Sequence, residues 1–142
     1  MVHLSYSCIV NKSLEDAWKL MGNFNDVSWL SDAKLTIEKS GRQNDMPVRV
    51  ISFGDKILKE HLISLTDEVD HKVIKYSFEK EFTGFNVDNL VGCMQFFRIS
   101  QSNQTFFLWE ADFDLKPGQE KGKEEVIGFL EFHVKKVSEL KK

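Results

Sequence analysis

Polar and apolar residues alternate through the first ten positions. His3, Ser5, Ser7 and Ile9 fall on one side of an extended chain, and Leu4, Tyr6, Cys8 and Val10 on the other. A period of two predicts a strand. Asn11-Lys12-Ser13 breaks it. Ser13 is a good N-cap, and Glu15 and Asp16 suit a first helical turn. Leu14, Ala17, Trp18 and Met21 then recur at helical spacing, which predicts one buried helix face. Gly22-Asn23 weakens the helix end, and Asn25 or Asp26 starts a second short helix through Val27, Trp29 and Leu30.

From Leu35 to Leu115 the helical period disappears. Strand-like segments fall near 34–40, 46–53, 56–66, 72–80, 89–100 and 104–115, separated by turn residues such as Gly54-Asp55 and Thr83-Gly84-Phe85. Connections this short favour antiparallel neighbours. Pro117-Gly118 ends the sheet. Residues 120–141 read as one long helix with an apolar stripe of Val126, Leu130, Val134, Val137 and Leu140. Gly128 lies inside it, either for a close approach to the sheet or a ligand, or with no role. The pattern predicts one α+β domain over residues 1–142, with a seven-stranded antiparallel sheet covered by a long C-terminal helix. A strongly curved sheet around that helix leaves a concave, mostly apolar tunnel.

Two charges interrupt the apolar alternation. In Val48-Arg49-Val50-Ile51-Ser52-Phe53, Arg49 shares a face with Ile51 and Phe53. In Ile57-Leu58-Lys59-Glu60-His61-Leu62, Glu60 shares a face with Leu58 and Leu62. A lone charge on an apolar face is costly unless it is paired or lines a wet cavity. Opposite charges on consecutive strands can meet across one hairpin. Three readings stand open: a structural ion pair, a pair on the solvated face, and the polar centre of a greasy ligand cavity.

Composition narrows the function. The 142 residues carry a net charge of −3, with no clustered Lys/Arg beyond a short run near the C-terminus, which argues against nucleic acid. Twelve Phe and three Trp either fill a core or line a pocket. Cys8 and Cys93 lack CxxC spacing. No signal-like segment and no stretch of about 18 apolar residues is present. The expected protein is soluble and cytoplasmic, with free thiols and no stable membrane insertion. His3, His61, His71 and His133 are scattered, with no HxH or HExxH pattern, so no metal site is expected. GxGxxG, P-loop and GxSxG motifs are absent, and no cofactor is expected.

Several local patterns, in this order, resemble the START-like helix-grip superfamily (SRPBCC), specifically its polyketide cyclase/dehydrase branch. They are Ala17-Trp18-Lys19-Leu20 followed by Phe24-Asn25-Asp26-Val27-Ser28-Trp29-Leu30, Val48-Arg49-Val50, Lys59-Glu60-His61-Leu62, Tyr76-Ser77-Phe78, Asn89-Leu90-Val91-Gly92 and Trp109-Glu110-Ala111-Asp112-Phe113. The resemblance spans nearly the whole chain. It implies a helix-grip fold with a hydrophobic cavity between the sheet and the last helix, holding a lipid, polyketide or other small apolar molecule. In a synthase-like group of the superfamily an Arg and a Glu on consecutive strands handle protons and orient substrate; Arg49 and Glu60 match those positions. The chain departs from that pattern at Leu90, where a Tyr often follows the Asn, and at Ser31, where Pro usually follows Trp-Leu.

The expected site therefore has Arg49 and Glu60 as catalytic residues, and Trp29, Ile51, Phe53, Leu58, Leu62, Tyr76, Phe78, Leu90, Trp109, Phe113 and Leu130 around the ligand. A carboxylate in such a cavity has a raised pKa, which a nearby Arg pulls back down. It can take and return a proton, while the guanidinium stabilises developing negative charge. The corresponding function is binding of a small hydrophobic molecule, with proton transfer, cyclisation or dehydration as its chemistry. The alternatives are a non-catalytic carrier or sensor, using the same residues to orient a ligand, and a chaperone-adaptor-like interaction protein. The pattern says nothing of oligomeric state.

Overall fold

The alternation of the first residues becomes β1 (Val2–Val10), whose outward His3, Ser5, Ser7 and Ile9 are exposed and whose Val10 is fully buried. The computed structural model describes residues 1–30, 35–43 and 45–141; the side chains of residues 35–40 and of Phe53 lie outside that description, as does Ser31. Ser13 caps α1 (Leu14–Met21), its Oγ accepting the Asp16 N–H at 3.1 Å. Leu14, Ala17 and Met21 are the buried face of α1. The second short helix is a single 3₁₀ turn, Ser28–Leu30, started by Asp26, whose Oδ1 accepts the Ser28 N–H at 2.9 Å.

Six strands follow: β2 (Leu35–Gln43), β3 (Met46–Phe53), β4 (Lys56–Asp67), β5 (His71–Thr83), β6 (Asp88–Ile99) and β7 (Gln104–Asp114). All pairings are antiparallel, in the order β1-β7-β6-β5-β4-β3-β2. β2 runs on into the expected turn because Asp45, at φ 63°, reverses the chain late and leaves Gln43 paired with Met46. β5 is longer than its alternation suggests. An irregularity after Phe78, with Glu81 at φ 75°, lets the strand resume pairing at Thr83, opposite Leu58. A second bulge puts Asn89 at φ 55° between the Asp88–Asp114 and Val91–Asp112 pairs, and turns Leu90 inward. Such bulges bend a sheet and re-aim single side chains.

α2 (Glu120–Ser138) lies on the inner face and buries Val126, Leu130, Val134 and Val137 against it. It stops short of residue 141 because the Glu139 N–H turns back to the Lys136 and Val137 carbonyls. Gly128 faces open space, with nothing within 4 Å of a built Cβ. The close approach occurs one stripe earlier. A Cβ on Gly122 would lie 1.9 Å from the Asn86 carbonyl oxygen, so only glycine lets the start of α2 sit against the β5–β6 loop. Among the described residues no helix is long and apolar enough to cross a membrane.

Candidate functional site

The hairpin β3–β4 turns at Gly54-Asp55, and its register sets Arg49 directly opposite Glu60 and Ile51 opposite Leu58. All four side chains point inward and are buried, Arg49 at 6% and Glu60 at 3% exposure. The guanidinium grips one carboxylate oxygen, with Nε 2.8 Å and Nη2 2.6 Å from Glu60 Oε1. Nη1 donates to the Phe24 carbonyl oxygen at 2.7 Å, and the Phe24 ring centroid lies 4.2 Å from Cζ. Arg49 thereby ties the chain between α1 and the 3₁₀ turn to β3, the strand beside the sheet's β2 edge. Burial pushes the Glu60 carboxyl above its ordinary value, and Arg49 pulls it partly back.

Tyr76 sits beside this pair on β5. Its neighbour across β6 is Gly92, and a Cβ there would lie 2.4 Å from Tyr76 Cζ. The glycine gives the tyrosine ring its place over the sheet. Trp109 Nε1 donates to Tyr76 Oη at 2.9 Å. The phenol's oxygen is thus an acceptor, and its own O–H remains a donor. Burial, followed by the charge of Glu60, raises the Tyr76 pKa, so this donor stays protonated. Among the described residues no buried side-chain nitrogen or oxygen lacks a hydrogen-bond partner.

Two small voids adjoin these groups. The first, about 30 Å³, is lined by Arg49 and Glu60 with Trp29, Ile51, Leu58, Tyr76, Phe78 and Trp109 among its walls. The second, about 20 Å³, is bounded by Leu90 and Leu130 together with Tyr76, Phe78 and Trp109. Of the residues expected around a ligand, Leu62 is half-buried and Phe113 fully buried in the core, both outside these two linings. The Phe53 side chain is outside the described residues.

The structure also adds walls that the pattern of residues did not single out as contacts: Val27, Leu30, Met94, Phe85 and Phe129. Phe129 had a usable signal, since it lies three residues after Val126 on the same helical face. Phe85 sits in the β5–β6 loop, where no period marks it. It packs edge-on against Phe129, ring centroids 5.4 Å apart, and borders both voids and an outer cleft of about 480 Å³. Its loop is held from within by Thr83 Oγ1, which donates to the Phe85 carbonyl at 2.6 Å. From the helix, Glu125 Oε1 accepts the Asn86 N–H at 3.1 Å while Oε2 accepts from Lys56 Nζ at 2.8 Å. His133 is buried on α2 against Phe129, with Nδ1 2.8 Å from the Phe129 carbonyl oxygen. His61 is half-buried on the outer face, 3.6 Å from Glu79.

No family model matches the chain, and no curated protein sequence matches it significantly. Solved structures do. An uncharacterised protein from Bacillus thuringiensis aligns over 96% of both chains with a TM-score of 0.77 and 23% identity. The XoxI protein of Bacillus cereus aligns over 97% of this chain and 94% of its own, with a TM-score of 0.76 and 23% identity. Norcoclaurine synthase from Thalictrum flavum aligns over 99% of this chain and 95% of its own, with a TM-score of 0.69 and 17% identity. That enzyme has also been seen in complex with dopamine and hydroxybenzaldehyde. The seven-stranded antiparallel sheet, the two short helices after β1 and the long C-terminal helix make this chain a helix-grip protein in fold.

Proposed function

We propose that this chain binds a small hydrophobic molecule between the sheet and α2, with its polar end against Glu60 and Tyr76. The observation that carries the reading is the buried Arg49–Glu60 pair bordering an otherwise apolar void. A carboxylate with no use for its charge is expensive there, because burying even a paired ion often costs as much as the pairing returns.

Voids of about 30 and 20 Å³ hold one or two waters, not a ligand ring. Entry therefore requires a side chain to swing away. Phe85 is that side chain, because it stands between the voids and the outer cleft. Withdrawing its ring joins all three spaces.

The chemistry follows from which donors are engaged. Arg49 spends its nitrogens on Glu60 Oε1 and the Phe24 carbonyl. Its role is to hold and tune Glu60 rather than to grip the ligand. Glu60 accepts a proton from an activated C–H or O–H of the ligand, and the Tyr76 hydroxyl donates a hydrogen bond to the ligand oxygen where negative charge gathers. Returning that proton at another atom completes an isomerisation, cyclisation or dehydration of the kind the polyketide cyclase/dehydrase branch performs. The absence of a Tyr at Leu90 is offset by Tyr76, which reaches the same second void from the neighbouring strand. Two half-buried free thiols, Cys8 and Cys93, suit a reducing cytoplasm.

Native mass spectrometry of the purified protein, followed by a thermal-shift screen of small apolar compounds, tests the binding step. The expected result is either a co-purifying small molecule released on denaturation or a compound that raises the melting temperature. No adduct and no stabilising compound would overturn the reading.

A further inference from the structure

Two polar groups of the inner site keep hydrogen-bonding capacity that no described residue uses. Arg49 reaches Glu60 through Nε and Nη2, and both land on Oε1. No sealed side-chain oxygen is left without a partner among the described residues, so Oε2 is not sealed. It opens on the void of about 30 Å³ that Glu60 lines. Tyr76 lines the same void. Its Oη accepts from Trp109 Nε1 at 2.9 Å, and its own O–H has no acceptor among the described residues. One lining thus offers a free anionic acceptor and a free neutral donor.

The cation of the site is already engaged. All three guanidinium nitrogens of Arg49 have partners, two on Glu60 and Nη1 on the Phe24 carbonyl. The rings of Phe24 and Tyr76 stand 4.2 and 5.4 Å from its Cζ. A ligand carboxylate would have to compete with Glu60 for it. The outer cleft offers an anion no more. Lys56 and Lys80 share its lining with Glu81, Asp88 and Glu125. Lys56 is bound to Glu125, and Asp88 lies in the field of Lys80.

We infer, building on the binding reading above, that the ligand is an apolar alcohol or phenol whose neutral hydroxyl is its polar end, and that the site selects against carboxylates. A hydroxyl gives one proton and accepts another. It donates to Glu60 Oε2 and accepts from the Tyr76 O–H. Both protein groups are then satisfied in buried surroundings, where an unmet donor or acceptor is costly. A carboxylate only accepts. It answers Tyr76 but meets Glu60 charge to charge, and that repulsion is strong in an apolar site. A ketone answers Tyr76 and leaves Oε2 bare. An ammonium answers Oε2 and leaves the Tyr76 proton facing a second cation.

Isothermal titration calorimetry at neutral pH tests this with two matched pairs, naphthol against naphthoate and decanol against decanoate. Each pair keeps its apolar body and changes the polar end. In each, the hydroxyl compound binds more than about tenfold tighter to the wild type. Tyr76→Phe weakens naphthol about three- to tenfold. Glu60→Gln removes the repelling charge and leaves Arg49 cationic, so naphthoate gains at least about threefold. Far-ultraviolet circular dichroism checks that each variant folds, and the wild-type comparison decides the matter without them. Carboxylates that bind as tightly as their hydroxyl partners, or a folded Tyr76→Phe that keeps full affinity for naphthol, overturn the hydroxyl assignment and leave the binding reading in place. Binding of none of the four compounds overturns the binding reading and the hydroxyl assignment with it.

Discussion

Arg49–Glu60 and Lys56–Glu125 are ion pairs with the same 2.8 Å nitrogen–oxygen contact, and both reach out from β4. Their surroundings are opposite. The side chains of the first are 7% and 4% exposed, and those of the second 35% and 35%. The inner pair is locked on every side: by Phe24 through its carbonyl and ring, and by the apolar residues of β3 and β4. The outer pair touches a loop, a helix and water. Geometry separates them only by the second, 2.6 Å contact of Arg49 Nη2. Desolvation separates them, because a buried charge that loses its partner has nowhere to turn, whereas an exposed one is rescued by solvent.

The inner pair should give the largest effect. Arg49→Met leaves the Glu60 carboxylate without its cation and is expected to cost about 3–5 kcal/mol of folding stability. Adding Glu60→Leu removes the stranded charge and should recover most of that loss, since a well-packed apolar replacement of a buried pair is often neutral. Urea unfolding of both variants checks this. A double variant as unstable as Arg49→Met would mean that the Phe24 link, rather than the pair, dominates.

How much of this contrast could be read beforehand depends on the kind of signal. Arg49 and Glu60 announce themselves because each breaks an apolar alternation, and the short Gly54-Asp55 turn fixes their pairing. Strands β4, β6 and β7 follow from period alone. The link from Arg49 to Phe24 leaves no trace in the residue types, since a backbone carbonyl is the same at every position. Phe85 is invisible for a related reason: a loop has no period, and only packing turns it inward. Gly122 and Gly128 look alike in a helix. What distinguishes them is the Asn86 carbonyl from another part of the chain. The size of the interior space is the least legible of all, because twelve phenylalanines can either line a tunnel or fill it.

Titration should pull the two pairs in opposite directions. Glu60 is raised above its ordinary 4.5 by burial, so its contribution is fully present below that value and is lost as pH rises through its folded-state pKa. Glu125 is lowered, chiefly by the hydrogen bond from Lys56, so its contribution is present above 4.5 and is lost as pH falls through its folded-state pKa. Urea midpoints across pH for the wild type, Glu60→Gln and Glu125→Gln measure both. The wild type should lose ground to Glu60→Gln on the alkaline side and to Glu125→Gln on the acid side. Shifts of the same sign in both comparisons would mean that burial does not distinguish the pairs.

The smallest change in stability should accompany the clearest change in access. Lys56→Ala removes an exposed pair of the kind usually worth about 0–1 kcal/mol, so the urea midpoint should hardly move. The same ammonium lies 5.3 Å from the Phe85 ring centroid and steadies Glu125, which in turn holds the Asn86 N–H of the Phe85 loop. Without it the loop has fewer ties to α2, and Phe85 should spend more time away from the voids. Trp29 and Trp109 line the first void and report on it. Acrylamide should quench tryptophan fluorescence faster in the variant than in the wild type, with Trp18 as a constant background. Unchanged quenching with a loss well above about 1 kcal/mol would make Lys56–Glu125 a structural prop like Arg49–Glu60. The route into the site would then have to lie away from Phe85.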